Sequence, residues 1–244
     1  MDRARRLQAF YRDRCLLLGH RGVRGPGMPP ENTLAAFRRA LDAGLDGFEF
    51  DVQMGADGTL VCHHDFELDG KPLERLRVAD FRAARSGEAA LPTLQDALAL
   101  ILERPDARLN LEIKSRRLIS DGRERMIVAV LAFMGLRDRV IVSSFNPAAL
   151  VAVKAADPEV LVALLTAPQV PWWIRTWGGR LRTDSIHPAR SQVNGEFIER
   201  QARGRYVGVW TVNDSSEARR LAGLGVHAII GDDPAALLAV RSAG

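Results

Sequence analysis

Cysteine is nearly absent: among 244 residues only Cys15 and Cys62 occur. Two thiols so far apart form neither a disulfide framework nor a CxxC metal pair. Each lies inside an apolar run, as a small core residue does. Lysine is almost as scarce, standing only at 71, 114 and 154, so the net charge of +4 is carried by arginine. The arginines are scattered, with modest local density at 1–14, 82–85 and 200–205. Aromatics make up 6% of the chain and do not interleave with a basic stripe, which speaks against a nucleic-acid partner. A mild pull on anionic substrates or lipid surfaces is compatible with this surface, but membrane contact is not expected. No apolar run reaches the roughly 18 residues of a membrane helix. The opening MDRARRLQAFYRDRC has no continuous apolar h-region before a small-residue cleavage site, so a cytoplasmic location is expected. Low-complexity tracts and Gly/Ser linkers are missing too. What is present, 47% apolar and 26% charged residues, is the composition of an ordinary globular protein. The length suits one sizeable core or two small ones, and nothing in it sets an oligomeric state.

The apolar patterning alternates between two kinds of segment. Short strand-like runs lie near 16, 49, 110, 141, 162, 185, 209 and 229, with a further segment at 60–63. Between them, periodic runs predict helices over 3–14, 33–44, 94–102, 123–134, 147–155, 195–202, 215–221 and 234–240. The stretch 64–92 is less regular, with a turn at Asp69-Gly70 and a short helix at 78–84. Residues 168–180 carry Trp172, Trp173 and Trp177 and follow neither period. Eight strands alternating with helices imply parallel βαβ units, and at this length a (β/α)8 barrel, taken as one domain over 1–244 with a short insertion after the second strand. A doubly wound open sheet is the alternative, though no GxGxxG follows the first strand.

Polar groups gather where the strands stop. The first run ends in His20-Arg21-Gly22, the second in Glu49-Phe50-Asp51, the next segment in His63-His64-Asp65, and the run at 108–113 in Glu112-Ile113-Lys114. Side chains two apart on a strand share a face, so Glu49 pairs with Asp51 and Glu112 with Lys114. In a barrel that face at the C-terminal strand ends is the mouth. Three carboxylates meeting there repel unless a cation sits among them, and an all-oxygen set suits Mg²⁺ or Ca²⁺ better than zinc. Taken alone, the Glu49–Asp51 pair is as open to being a solvated pair or to ion pairing with arginine; Glu112-x-Lys114 on another strand weighs towards a site. His20 and His64, each beside a charged neighbour, fit a general acid and base. His63 adjoins His64 and in extended chain faces the other way, towards the helix layer. Arg21 offers a planar fork for phosphate oxygens, with Lys114 as a second cation. Phe145 and Trp210 lie near strand ends, as a pocket wall or as core. His187 ends the sixth strand, and Glu31 either caps the first inter-strand helix or touches the site.

These residues resemble glycerophosphodiester phosphodiesterases. The matching segments are His20-Arg21-Gly22, Pro30-Glu31-Asn32-Thr33, Glu49-Phe50-Asp51-Val52, Asp57-Gly58, His64-Asp65, Glu112-Ile113-Lys114, Ser143-Ser144-Phe145, Trp210-Thr211-Val212-Asn213 and Gly231-Asp232-Asp233-Pro234. The resemblance covers nearly the whole chain in order. It implies a TIM barrel that hydrolyses a small-molecule glycerophosphodiester to glycerol 3-phosphate and an alcohol. It puts metal ligands at Glu49, Asp51 and Glu112, acid–base histidines at His20 and His64, and substrate-binding cations at Arg21 and Lys114. The sequence departs from the family after His64-Asp65, where Phe66 to Pro72 replaces an Asp-Arg-Thr-Thr-like run and the insertion is short, which bears on the leaving alcohol. The rival readings are a phospholipase-like barrel acting on lysophospholipid or sphingomyelin headgroups at a membrane, and a catalytically silent phosphoester-binding barrel.

Overall fold

A computed structural model describes residues 3–117, 119–171, 181, 183–201 and 205–241; Trp172, Trp173 and Trp177 fall outside them. Eight strands among these residues run parallel: β1 (Leu16–Gly19), β2 (Gly47–Met54), β6 (Arg108–Ile113), β7 (Val140–Ser144), β8 (Leu161–Thr166), β9 (Ser185–Pro188), β10 (Tyr206–Val209) and β11 (Ala228–Gly231). Neighbours follow that order, and β1 pairs with both β11 and β2, through Leu18–Gly47 and Gly19–Phe48. The sheet therefore closes on itself as a (β/α)8 TIM barrel, and the open-sheet alternative is excluded.

The helices outside the ring are α2 (Leu34–Asp42), α4 (Leu94–Leu102), α5 (Arg123–Phe133), α6 (Pro147–Ala156), α7 (Gly195–Gln201), α8 (Ser215–Gly223) and α9 (Pro234–Leu238). Each strand is buried on both faces, as parallel strands between two layers are. On β6 the alternation is plain. Leu109, Leu111 and Ile113 join the outer core beneath the helices, which turns Asn110 and Glu112 into the barrel. A separate inner core of Leu16, Leu18, Ile141, Leu161, Ala228 and Ile230 fills the ring.

The N-terminal helix α1 (Arg3–Tyr11) closes the lower end by adding Leu7, Phe10 and Tyr11 to that inner core. It stops at Tyr11 rather than near 14 because Arg12 and Asp13 take positive φ, 54° and 53°. The insertion after β2 is more ordered than its sequence pattern predicts. It holds β3 (Leu60–Cys62) antiparallel to β2, a hairpin of β4 (Glu67–Leu68) and β5 (Lys71–Pro72), and α3 (Val78–Ala84). Leu68, Leu73, Leu76 and Phe81 pack with Val61 as its own small core. Cys62 is buried, but Cys15 is only half-buried, and both are free thiols. No helix among the described residues is long and apolar enough to cross a membrane.

Candidate active site

The C-terminal ends of β1, β2 and β6 bring one cluster together. Glu49, Asp51 and Glu112 each place a carboxylate oxygen within 4.8 Å of the others. Asp51 and Glu112 are register partners on adjacent strands, and Glu49 lies two residues earlier on the same face. All three are buried. Burial, then the charges of Asp51 and Glu112, push the Glu49 pKa well above the usual carboxylate range. Glu112 is raised for the same reasons, burial first and Asp51 second, although Lys114 opposes the shift. Three desolvated carboxylates at this separation form a donor set for a hard divalent cation.

Two side-chain cations already lean on this cluster. Lys114 Nζ lies 3.1 Å from Glu112 Oε1 and 3.7 Å from Asp51 Oδ1. Burial works against its charge, but the two carboxylates outweigh burial and raise its pKa. Arg21 Nε lies 3.3 Å from Asp51 Oδ2, its Nη1 donates to Glu31 Oε1 at 2.6 Å, and its backbone N–H donates to Glu49 Oε2 at 3.0 Å. These contacts require a sharp turn. Arg21 has φ 51° and Gly22 φ 91°. A Cβ at Gly22 would stand 2.6 Å from the Ala36 carbonyl carbon on α2, so only glycine lets the helix approach the turn. Glu31 is not the helix cap; Thr33 is, accepting from the Ala36 N–H. Glu31 instead pairs with Arg21 and Arg24 at the rim.

The two histidines expected to act flank the cluster, each hydrogen-bonded to an aspartate. His20 Nδ1–H donates to Asp232 Oδ1 at 2.7 Å, and its Nε2 lies 3.9 Å from Glu49 Oε2. Burial pushes Asp232 up, but hydrogen bonds from His20 and Asn213 outweigh it and hold its pKa at about 2. His64 Nδ1 pairs with Asp65 Oδ1 at 2.7 Å. Burial holds His64 below its ordinary pKa; Asp51 pulls it up, while Lys114 and Arg21 push it down. That set of neighbours places His64 on the carboxylate side. His63 turns away, as its neighbour's register predicts, but not to the helix layer: its Nε2 lies 3.2 Å from the Glu67 carbonyl of the insertion hairpin. β3 ends at Cys62, and strict alternation ends with it.

Four residues with no role foreseen from sequence, Asn32, Gln53, Asp232 and Asn213, hold these groups in place. Asn32, itself left-handed at φ 57°, donates from Nδ2 to Asp51 Oδ2 at 2.9 Å and accepts from the Asp51 N–H at 3.1 Å. Gln53 Nε2, with two N–H donors, lies 3.0, 3.2 and 2.5 Å from the carbonyl oxygens of His63, His64 and Asp65, which share it, clasping the bend that carries His64. Asp232 is fixed in turn by Asn213, which donates from Nδ2 to Oδ2 at 2.6 Å and accepts from the Asp232 N–H at 2.8 Å. Across the mouth, Phe145 and Trp210 meet edge to face at 5.4 Å and 87°, and the Trp210 indole N–H donates to the His187 carbonyl at 2.8 Å.

Residues 20–236 match the model of the glycerophosphoryl diester phosphodiesterase family, a span that runs from His20 past Asp232. A glycerophosphodiester phosphodiesterase of Caldanaerobacter subterraneus subsp. tengcongensis is 34% identical over 94% of this chain and 99% of its own. An Oleispira antarctica phosphodiesterase, solved in complex with the product sn-glycerol-3-phosphate, superposes with a TM-score of 0.76 at 26% identity over 96% of this chain and 99% of that one. The fold of a glycerophosphodiester phosphodiesterase from Parabacteroides distasonis is similar as well, with a TM-score of 0.77 at 24% identity over 94% and 98% of the two chains. With a family model spanning the whole mouth and a relative aligned almost end to end, the chain belongs to the glycerophosphoryl diester phosphodiesterase family.

Proposed function

We propose that this protein hydrolyses small-molecule glycerophosphodiesters to glycerol 3-phosphate and an alcohol, as one barrel domain over 1–244. The observation that carries the reading is the buried carboxylate triad flanked by two histidine–aspartate pairs. Family membership supports it. Glu49, Asp51 and Glu112 would hold a divalent cation, Mg²⁺ or Ca²⁺, since all three ligands are hard oxygens. When bound, such a cation supplies Lewis-acid polarisation of a phosphate oxygen.

The chain's own residues do the rest. Arg21 Nη1 is taken by Glu31, while Nε stands 3.3 Å from Asp51 Oδ2 without a hydrogen bond, which leaves Nη2 and Nε for phosphate oxygens. The Lys114 ammonium has three N–H donors and stands at the same rim. Both supply positive charge where the phosphorane-like transition state becomes more anionic. One histidine takes the proton of the nucleophile, and the other gives a proton to the leaving alkoxide. Asp232 holds His20 with Nδ1 protonated, which leaves Nε2 to exchange protons on the carboxylate side. The nucleophile is either the substrate's own hydroxyl, giving a cyclic phosphate, or water. Phe145 and Trp210 form the apolar wall against the glycerol carbons. Cytoplasmic action on a water-soluble diester belongs to the same reading.

The test is a panel of glycerophosphodiesters with choline, ethanolamine, glycerol and inositol headgroups, assayed for released glycerol 3-phosphate. Turnover should appear with Mg²⁺ or Ca²⁺ and vanish with EDTA. Full activity in metal-stripped protein would overturn the triad's role, and no turnover with any diester in Mg²⁺, Mn²⁺ or Ca²⁺ would overturn the enzymatic reading.

A further inference from the structure

The mechanism above leaves one group of buried polar atoms unused. His187 is 1% exposed, and neither ring nitrogen has a hydrogen-bond partner among the described residues. Its neighbour Ile186 packs into the outer core, so His187 points into the barrel. The ring lies against bare backbone: a Cβ on Gly208 would stand 2.8 Å from its Cδ2 and Nε2. Ser143 and Asn110 share this condition. Val142 and Leu111 face the outer core, which turns Ser143 and Asn110 inward, and Ser143 Oγ and Asn110 Oδ1 also lack partners among the described residues.

Their placement in the ring relates them to the triad. Counting either way round from β2, β9 is the fourth neighbour, so His187 stands diametrically across the barrel from Glu49 and Asp51. Asn110 and Ser143 adjoin the triad as register partners of Glu49 and Glu112 and form a polar floor on the β6–β7 side of the ring. Above that floor stands the Phe145–Trp210 wall, anchored on the His187 carbonyl. Buried polar groups in folded proteins are almost always satisfied by protein, water or ligand. Burial pushes the His187 pKa down to about 3, so the imidazole is neutral near pH 7. A neutral imidazole carries one donor and one acceptor, which matches an alcohol hydroxyl better than an ammonium or a phosphate.

We propose that His187, assisted by Ser143, forms a hydroxyl-recognising subsite that hydrogen-bonds the glycerol end of the diester whose phosphate sits at the triad. The subsite rests on the function proposed above. It makes His187 a specificity-determining residue: it grips the polyol and leaves the phosphorus to the opposite side of the mouth.

The experiment measures binding by calorimetry in the metal-loaded protein. Glycerol 3-phosphate is the probe, and inorganic phosphate is the control without hydroxylated carbons. His187→Leu should weaken glycerol 3-phosphate about ten- to a hundredfold, the usual effect of stranding a buried hydroxyl, and should move phosphate less than about threefold. His187→Gln, which keeps a donor and an acceptor, should recover part of the loss, and the thermal midpoint of His187→Leu should not fall. A parallel loss for both probes, or no loss for either, would overturn the subsite and make His187 a group satisfied by structural water. Wild-type turnover of glycerophosphocholine on the same preparation tests the underlying function separately: turnover with unselective His187 variants refutes only the subsite.

Discussion

Removing the Asp232 carboxylate should cripple His20 while leaving the rest of the mouth intact. In the native protein the His20 Nδ1–H donates to Asp232 Oδ1 at 2.7 Å, and Asn213 fills Oδ2 at 2.6 Å. A hydrogen bond to a charged partner contributes about 1.5–3 kcal/mol, which corresponds to about a ten- to 150-fold change in rate at ~1.4 kcal/mol per decade. Asp232→Ala should therefore lower kcat on a glycerophosphodiester by that factor. Asp232→Asn offers no rescue. Its amide NH₂ must face either His20 and Arg24, both donors, or the Asn213 amide, also a donor and held by the Asp232 N–H. The assay is a double-mutant cycle with His20→Ala, read as kcat and KM. Because Asp232 acts through His20, Asp232→Ala should cost less than about threefold once His20 is gone. An equal loss in both backgrounds would refute the dyad and make Asp232 a general support of the rim.

Other substitutions separate neighbouring roles. His64→Ala should lower turnover by about 10²–10⁴-fold, the range for losing a general acid or base, whereas His63→Ala should keep near-normal turnover per folded molecule; an inactive His63→Ala with an active His64→Ala would reverse the assignment. Arg21→Lys keeps the charge but loses the planar fork that pairs with Glu31 and stands beside Asp51, so on the proposed function kcat/KM should fall at least about tenfold, measured with glycerophosphocholine. Acid stability should depend on His187. Its folded pKa lies below the ordinary 6.5, so the unfolded chain binds the proton first, and stability complete above pH 6.5 is lost as pH falls towards 3. Between pH 6.5 and 5 this amounts to about 2 kcal/mol, and His187→Leu should flatten that part of a urea-midpoint profile. An unchanged slope would refute the account.

Most of the barrel was readable because parallel strands buried on both faces are continuous apolar runs, and because the polar residues of the mouth interrupt those runs at their C-terminal ends. Even the weak segment at 184–187 proved to be β9. The supporting residues were harder to read, for identifiable reasons. Gln53 lies two positions after Asp51 on the same face of β2, so the alternation that links Glu49 to Asp51 extends to it; what it clasps, the carbonyls of 63–65, depends on how the chain bends after β3. Asp232 ends the eighth strand as His20 ends the first, and the rule that found one finds the other; their pairing is a product of ring closure across 212 positions. Asn32 sat within a recognised motif, but its two-pronged grip on Asp51 requires a left-handed backbone that no periodicity signals. The insertion hairpin is too short for any period to register.

The plug formed by α1 ties the beginning of the chain to its last third. Arg3 reaches Asp184 at 2.6 Å, and the Tyr11 hydroxyl donates to Ser185 Oγ at 2.9 Å while its ring stacks on Tyr206 at 4.5 Å. β1 likewise finds its β11 neighbour only at Ala228–Gly231. On a ribosome, these contacts of α1 and the β11 side of β1 must wait until residues 184–231 have been made. Until then Phe10, Tyr11 and the unpaired side of Leu16–Gly19 are exposed, a sticky helix and an open strand edge of the kind that promotes aggregation. Sealing the ring from its lower end thus depends on contacts of high sequence separation, which form late in synthesis.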